Sequence, residues 1–274
     1  MTRLVEEQII NIPNTLANYD QKLRNKTGFA LKDLAVQASG YFETGRSART
    51  VRVAVVPITA GQGMITGFSE AIKAIANHLG FDARLTAHPD IRGLAEAYGS
   101  DAELAVMADD FMYIVVNLNS RRVSGNDHAT AKGYCFALQS MARGLDGRTV
   151  LLIGAGPVGR EAAVILAKKK AKPVIYDLDH KRATGLAYQI QSDYGIKAEM
   201  ITRQAAEAKS WDLIFDASPG EAVVTGAMVN NNTVIAAPGI PLGLNQQALL
   251  TVAERLIHDP LQIGTAVMLF EALT

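Results

Sequence analysis

The segment Gly154-Ala155-Gly156-Pro157-Val158-Gly159 constrains this chain more than any other. It follows the apolar run Arg148 to Ile153, which reads as a strand, and opens the helical stretch Arg160 to Lys169. A second strand-like run, Lys172 to Tyr176, comes next, and Asp177 stands at its end. A strand that enters a glycine-rich turn and leads straight into a helix is the phosphate-binding start of a βαβ unit. The first glycine allows the tight turn, the second lets a pyrophosphate approach the backbone, and the third lets helix and strand lie close. The helix N-terminus adds free N–H groups and a positive dipole end. A carboxylate about 20 residues on accepts hydrogen bonds from the adenosine ribose and repels a 2′-phosphate. The sequence therefore expects NAD rather than NADP on Gly154, Ala155, Gly156, Pro157, Val158, Gly159 and Asp177, with Lys181 and Arg182 pulling slightly the other way. A glycine-rich turn without a ligand is the bland alternative; an S-adenosylmethionine site is the chemical one, against which the Gly-x-Gly-x-x-Gly spacing argues.

Strand-like and helix-like runs alternate through the whole chain. In the second half, Leu213 to Phe215, Thr233 to Ala236 and Arg255 to Ile257 read as further strands, which gives a Rossmann doubly wound parallel sheet. The turns after two of them, Asp216-Ala217-Ser218-Pro219 and Ala236-Ala237-Pro238-Gly239-Ile240-Pro241, are expected at the carboxyl edge, on the nicotinamide side; a plain connecting turn is the alternative for each. In the first half, Val51 to Val56, Phe81 to Thr86 and Leu104 to Met107 read as strands and Phe68 to Leu79 as a helix. Helices are expected before them at Leu4 to Asn11, Asn14 to Leu23 and Leu31 to Phe42, with breaks at Pro13 and Gly28. The fold class is thus α/β. An N-terminal α/β substrate domain with a helical N-terminal segment, residues 1–145, precedes an NAD-binding domain, residues 146–274. The boundary falls at the turn Leu145-Asp146-Gly147, after the helical run Asp127 to Arg143. The last stretch, Ile263 to Leu273, is expected to be a helix that packs back on the cleft.

Two segments of the first half carry polar groups to strand ends. Val56 to Phe68 follows a strand and precedes a helix, with Thr59 and several glycines; it either cups a polar ligand or is a long turn that caps the helix. Asp109-Asp110 follows Leu104 to Met107, where sheets of this class present ligand groups and where turns also use aspartate. His78, His88, His128, His180 and His258 show no ligand spacing, so no metal centre is expected. Cys135, between Tyr134 and Phe136 in an apparent helix, reads as a core residue.

Charge and composition narrow the function. The 27 Lys+Arg balance 27 Asp+Glu, so no excess charge is available to hold a nucleic acid. One cysteine excludes an intrachain disulfide and suits a reducing compartment. No run approaches the ~18 apolar residues of a membrane span, and Arg3, Glu6 and Glu7 interrupt any export signal. A cytoplasmic protein acting on a small molecule is expected.

Several blocks together resemble the pyrrolysine synthase family. They are Val56 to Gly63, Gly80 to Asp82, Pro89-Asp90, Met107 to Asp110, Val150 to Gly159, Thr233 to Pro241 and Ile263 to Ala266, in the family's order over nearly the whole chain. The resemblance implies NAD-dependent oxidation of L-lysine acylated on its ε-nitrogen by 3-methyl-D-ornithine, followed by loss of ammonia and closure of the pyrroline ring. It implies that Asp109 is the essential substrate-holding aspartate. Thr59, Ala60 and Phe68 would lie in the substrate loop, Leu4 in a helix over the ligand, Asp259 at the substrate, and Ile263 and Gly264 at the cofactor. The family often has serine at Ala60 and glutamate at Asp259, which removes one hydroxyl and shortens one carboxylate. Shikimate or methylene-tetrahydrofolate dehydrogenase-like enzymes and a non-enzymatic NAD sensor are the other readings. A homodimer is expected by analogy with two-domain dehydrogenases.

Overall fold

Parallel strands buried on both faces are made from near-continuous apolar runs, and the chain supplies two sets of them. The computed structural model describes residues 4–42 and 51–274. These form two compact units. The first comprises the N-terminal residues to Arg24, Phe29–Gly133 and Pro260–Thr274; the second comprises Tyr134–Asp259 with Asn25–Gly28.

The sheet of the first unit contains β1 (Arg52–Val55), β2 (Asp82–Leu85), β3 (Leu104–Ala108), β4 (Tyr113–Asn117) and β5 (Val123–Gly125), in the order β2-β1-β3-β4-β5. β1 pairs with β2 and β3 in parallel, through helices Phe68–His78 and Asp90–Gly99, while β3, β4 and β5 form an antiparallel meander. The sequence reading does not mark β4 and β5. Their formation rests on the turn at Asp109, whose Oδ1 accepts hydrogen bonds from Phe111 N at 2.8 Å and Met112 N at 2.7 Å. That side-chain turn reverses the chain, and Tyr-Ile-Val-Val-Asn then pairs back on β3 with alternating buried and half-buried residues. Three helices come first, Glu6–Ile9, Ile12–Thr27 and Leu31–Ser39. Pro13, expected as a break, sits in the first turn of its helix, where its missing N–H costs nothing.

Helix Gln262–Glu271 belongs to this first unit, and all of its residues are buried. It packs against Leu31–Ser39, and the Phe270 ring lies 5.5 Å from Tyr41 and 5.2 Å from Phe81. A helix enclosed on every side must satisfy its polar side chains internally. Thr265 Oγ1 is 2.7 Å from Tyr113 OH, and the Glu271 carboxylate accepts from Ser124 Oγ and Lys132 Nζ, each at 2.5 Å.

The second unit holds β6 (Thr149–Ile153), β7 (Lys172–Tyr176), β8 (Glu199–Met200), β9 (Leu213–Asp216), β10 (Val234–Ala236) and β11 (Leu256–Ile257). All pairs are parallel, in the order β11-β10-β9-β6-β7-β8. The strand order reverses between β9 and β6, which makes this a doubly wound Rossmann sheet with its switch point at that pair. Leu151, Ile153, Val174, Trp211, Ile214 and Ile235 are among its core residues. Residues 25–28 join this unit through Lys26, whose Nζ donates to Ala253 O at 2.7 Å and Leu256 O at 2.9 Å. Among the described residues no helix is long and apolar enough to cross a membrane.

Candidate functional site

In the second unit the expected residues gather at the carboxyl edge of the sheet. Gly154 leaves β6 at φ +90°, a conformation that L side chains rarely adopt, and a Cβ there would stand 3.0 Å from the Ala217 carbonyl. A Cβ on Gly159 would lie 1.9 Å from Gly154 O, so helix Pro157–Lys168 lies against the loop only because residue 159 is a glycine. Gly156 caps that helix and differs from both. Nothing stands within 4 Å of the place where its Cβ would be. The loop is therefore closed behind Gly154 and Gly159 and open in front of Gly156, the shape that a pyrophosphate approaching the backbone requires. Pro157, exposed, takes the first helical position, and Val158 is half-buried beside it.

Asp177 reaches the same loop from the end of β7. Its Oδ2 accepts from Ala155 N at 2.6 Å and its Oδ1 from Asp179 N at 2.8 Å. On the other side of β6, the turns after β9 and β10 interlock. Gly239 N donates to Asp216 O at 3.0 Å, and a Cβ on Gly239 would stand 2.1 Å from Ser218 O. Ala217, Ser218, Pro219, Pro238 and Gly239 thus form one packed rim beside the switch point. The first residue of the expected turn lies beneath it. Asp216 is fully buried; its Oδ1 accepts from Ser218 N at 3.0 Å and Ser218 Oγ at 2.6 Å, and its Oδ2 has no hydrogen-bond partner. Burial pushes this carboxyl up to about 6, against the hydrogen bonds of Ser218 and the charge of His258.

Asp259, also in the second unit, is buried and held by Tyr134. The phenol oxygen accepts from Asp259 N at 2.8 Å and lies 2.9 Å from Asp259 O and 3.0 Å from its Oδ2. His258 beside it points Nδ1 at Ala237 O, 2.8 Å away.

In the first unit the carboxyl ends of the parallel strands β1, β2 and β3 lie along one edge. Thr59 follows β1, and its N and Oγ1 donate to the Asp90 carboxylate at 2.7 and 2.5 Å. Those bonds, the hydroxyl's first, hold Asp90 below the usual carboxylate range. Ala60 is exposed beside Thr59. Gln62 N donates to Asp110 Oδ2 at 2.7 Å, so the loop rests on Asp90, at the start of the helix after β2, and on Asp110, just past β3. Asp109 is exposed at the end of β3, and the Met112 and Phe111 N–H groups lower its carboxyl. It is an anion at neutral pH with Oδ1 engaged in the turn. Phe68 starts its helix half-buried, its ring 5.6 Å from Tyr113 in an edge contact. Leu4 is half-buried just before helix Glu6–Ile9. Ile263 and Gly264 lie in the buried helix of this unit: a Cβ on Gly133 would stand 2.3 Å from Ile263 Cγ2, and one on Gly264 would stand 2.5 Å from Thr130 Oγ1.

The structure thus groups Thr59, Ala60 and Asp109 at one sheet edge, and Gly154 to Gly159, Asp177, Ala217 to Pro219, Pro238 and Gly239 at the other. Sequence reasoning took Asp216 only as part of a turn at the carboxyl edge, and missed the supporting Tyr134, Tyr113 and Thr265. The burial of Asp216 was signalled by its place at the end of an otherwise apolar strand, Leu213 to Phe215.

Residues 8–124 match the family model described as "Pyrrolysine biosynthesis protein PylD, N-terminal domain". The chain is 32% identical over 273 residues to a pyrrolysine synthase of Methanosarcina barkeri, covering 100% of this chain and 98% of that one. It is 31% identical over 273 residues to the pyrrolysine synthase of Methanosarcina acetivorans, covering 100% of both. Among solved structures it is similar to quinate dehydrogenase from Corynebacterium glutamicum in complex with NAD, with TM-score 0.55, 15% identity, and 82% of this chain and 93% of that chain covered. A shikimate dehydrogenase in complex with NADP+ has TM-score 0.54 at 13% identity, covering 83% of this chain and 91% of that one. The two structural likenesses concern the fold.

Proposed function

Because the chain belongs to the pyrrolysine synthase family, we propose that it performs the last step of pyrrolysine biosynthesis, the NAD-dependent oxidation of the terminal amine of L-lysine-Nε-3-methyl-D-ornithine. The observation that carries this reading is the match along the whole chain, 273 residues at 32% identity, rather than over the glycine motif alone. In this reading the first unit holds the substrate and the second the cofactor.

Bound NAD supplies the hydride acceptor. Gly154 to Gly159 offer a backbone cradle of the right shape for its pyrophosphate, open at Gly156, and Asp177 receives the ribose hydroxyls. The same carboxylate opposes a 2′-phosphate, which favours NAD over NADP. Ala217 to Pro219 and Pro238-Gly239 line the nicotinamide half of the crevice.

Asp109 holds a substrate ammonium and fixes which carbon is presented for oxidation. It is suited to this because its turn bonds keep it ionised and engage only one of its oxygens. Thr59, Ala60, Phe68 and Leu4 provide the remaining substrate contacts, Thr59 in an orientation set by Asp90. The terminal amine, with an ordinary pKa of roughly 10.4, must lose its proton before its carbon can release hydride. Loss of hydride leaves an iminium carbon. The ornithine α-amine attacks it, ammonia departs, and a proton is released as the ring becomes the neutral pyrroline. The reading places this chemistry in the cytoplasm and expects a homodimer, to be checked by light scattering.

The test is NADH formation by the purified protein with NAD and synthetic lysine-Nε-3-methyl-D-ornithine at alkaline pH, with product mass read in parallel. Conversion to the pyrroline mass, falling at least about a hundredfold in Asp109→Asn, is expected, since the amide no longer pairs with the substrate ammonium or fixes its position. NAD binding without turnover by folded protein would sink the reading and favour a different dehydrogenase or a sensor.

A further inference from the structure

The buried carboxyl beneath the rim of the second unit has no role in the chemistry above. Each element around it is built for closeness. The Ser218 N–H and hydroxyl both bond its Oδ1. Its backbone oxygen takes the Gly239 N–H. Gly243 packs so tightly over Oδ2 that a Cβ there would stand 2.2 Å away. Oδ2 is thereby sealed from solvent with no partner. A buried acid in that position is costly when charged, and persists where a charge arrives to compensate it.

Asp216 is placed to meet such a charge. It ends β9 directly beside Ile153, the last residue of β6 before the glycine loop, so it stands at the switch point where doubly wound sheets bind dinucleotides. Asp177, which marks the adenosine side, lies on the opposite flank of β6. The nicotinamide end therefore falls on the side of Asp216. We propose that Asp216 is the buried counter-charge of the cofactor's nicotinamide end, through which the second unit distinguishes the cationic oxidised ring from the neutral reduced one. This rests on the nicotinamide reading of the preceding subsection.

The sign follows from linkage. Without ligand the carboxyl sits at about 6, with Ser218 on its own turn and His258 at the end of β11 favouring its charged form and burial opposing it. A cationic ring nearby favours the carboxylate, so binding of NAD+ releases a proton and tightens as pH rises through this range. NADH brings no positive ring and does not share that gain. One unit of pKa difference between the two complexes changes the ratio of their affinities by about tenfold.

The experiment is calorimetric titration of the native protein with NAD+ and with NADH between pH 5 and pH 8, in buffers of differing ionisation enthalpy so that proton release is read directly. The ratio of the NADH to the NAD+ dissociation constant is expected to rise about tenfold across this range, with proton release on NAD+ binding only. In Asp216→Asn, permanently neutral and of the same shape, the ratio is expected to be flat. A flat ratio in the native protein, or the same rise in Asp216→Asn, overturns the proposal while leaving the nicotinamide reading intact. Failure of folded native protein to bind either cofactor at any pH overturns that reading and this proposal with it. Should Asp216→Asn not fold, Ser218→Ala serves instead. It removes a donor to the charged form and must move the midpoint of the ratio to higher pH; an unmoved midpoint overturns the proposal.

Discussion

Gly156 and Gly159 stand three residues apart in one motif, yet they face opposite surroundings, and that separates binding from folding. A methyl group at 159 meets the Gly154 carbonyl, a backbone atom that cannot turn aside. Gly159→Ala is expected to destabilise the protein by about 1–3 kcal/mol, as overpacking of a tight contact does, which denaturant unfolding checks. A methyl group at 156 meets open space at an ordinary φ of −72°. Gly156→Ala is expected to leave unfolding within about 0.5 kcal/mol of native while weakening NAD binding at least about tenfold, read by calorimetry. At this scale the glycine cradle was legible because each glycine answers a geometric demand that spacing alone reveals. Asp109 was legible only as one of two alternatives. Its carboxylate proves to be the turn-former that bare pattern suggests, with a second oxygen left for the ligand role that the resemblance implies. The partnership of Thr59 with Asp90 was not legible, since it joins residues 31 apart through the positive-φ conformation of Asp90.

Among the elements, helix Gln262–Glu271 shows how far periodicity reaches. Its existence follows from the apolar spacing of Val267 and Phe270, but enclosure on every side does not, because a helix buried all round differs from an amphipathic one only in context. Phe270 is 1% exposed and stacks near both Tyr41 and Phe81. Phe270→Ala is expected to cost about 3–5 kcal/mol, the range for deleting a buried aromatic ring, measured by denaturant unfolding. β6, β7 and β9 to β11 were legible because parallel strands read as unbroken apolar runs. The meander of β4 and β5 was not, although Tyr113 to Val116 carries the β-branched signal. The two aspartates before it read as the end of a strand, and only the closing bonds of the turn show that the chain doubles back.

For the molecule as a whole, the Rossmann sheet predicts a ligand-linked stability. NAD at about 100 times its dissociation constant contributes about 2.7 kcal/mol to whatever unfolds with its site, a rise in melting temperature of about 5–10 °C for a protein of this size. Thermal scanning fluorimetry checks this, and if Asp177 takes the adenosine ribose as proposed, NADP at the same concentration is expected to give a smaller rise. Two domains were expected, with a boundary at the turn Leu145-Asp146-Gly147. Their composition rests on pairings distant in sequence, which no local window contains. The first unit takes its central helix from Pro260–Thr274, after the whole of Tyr134–Asp259 has intervened. On the ribosome, then, the order of completion runs against the order of synthesis. The second unit has its entire sheet before residue 260 is made, whereas helices Leu31–Ser39 and Phe68–His78 and strands β4 and β5 must wait for a helix translated after them. A chaperone that shelters nascent chains would meet this protein at its amino-terminal half, and a message truncated before the codon for Pro260 would yield a chain whose second sheet is complete and whose first unit lacks its buried helix.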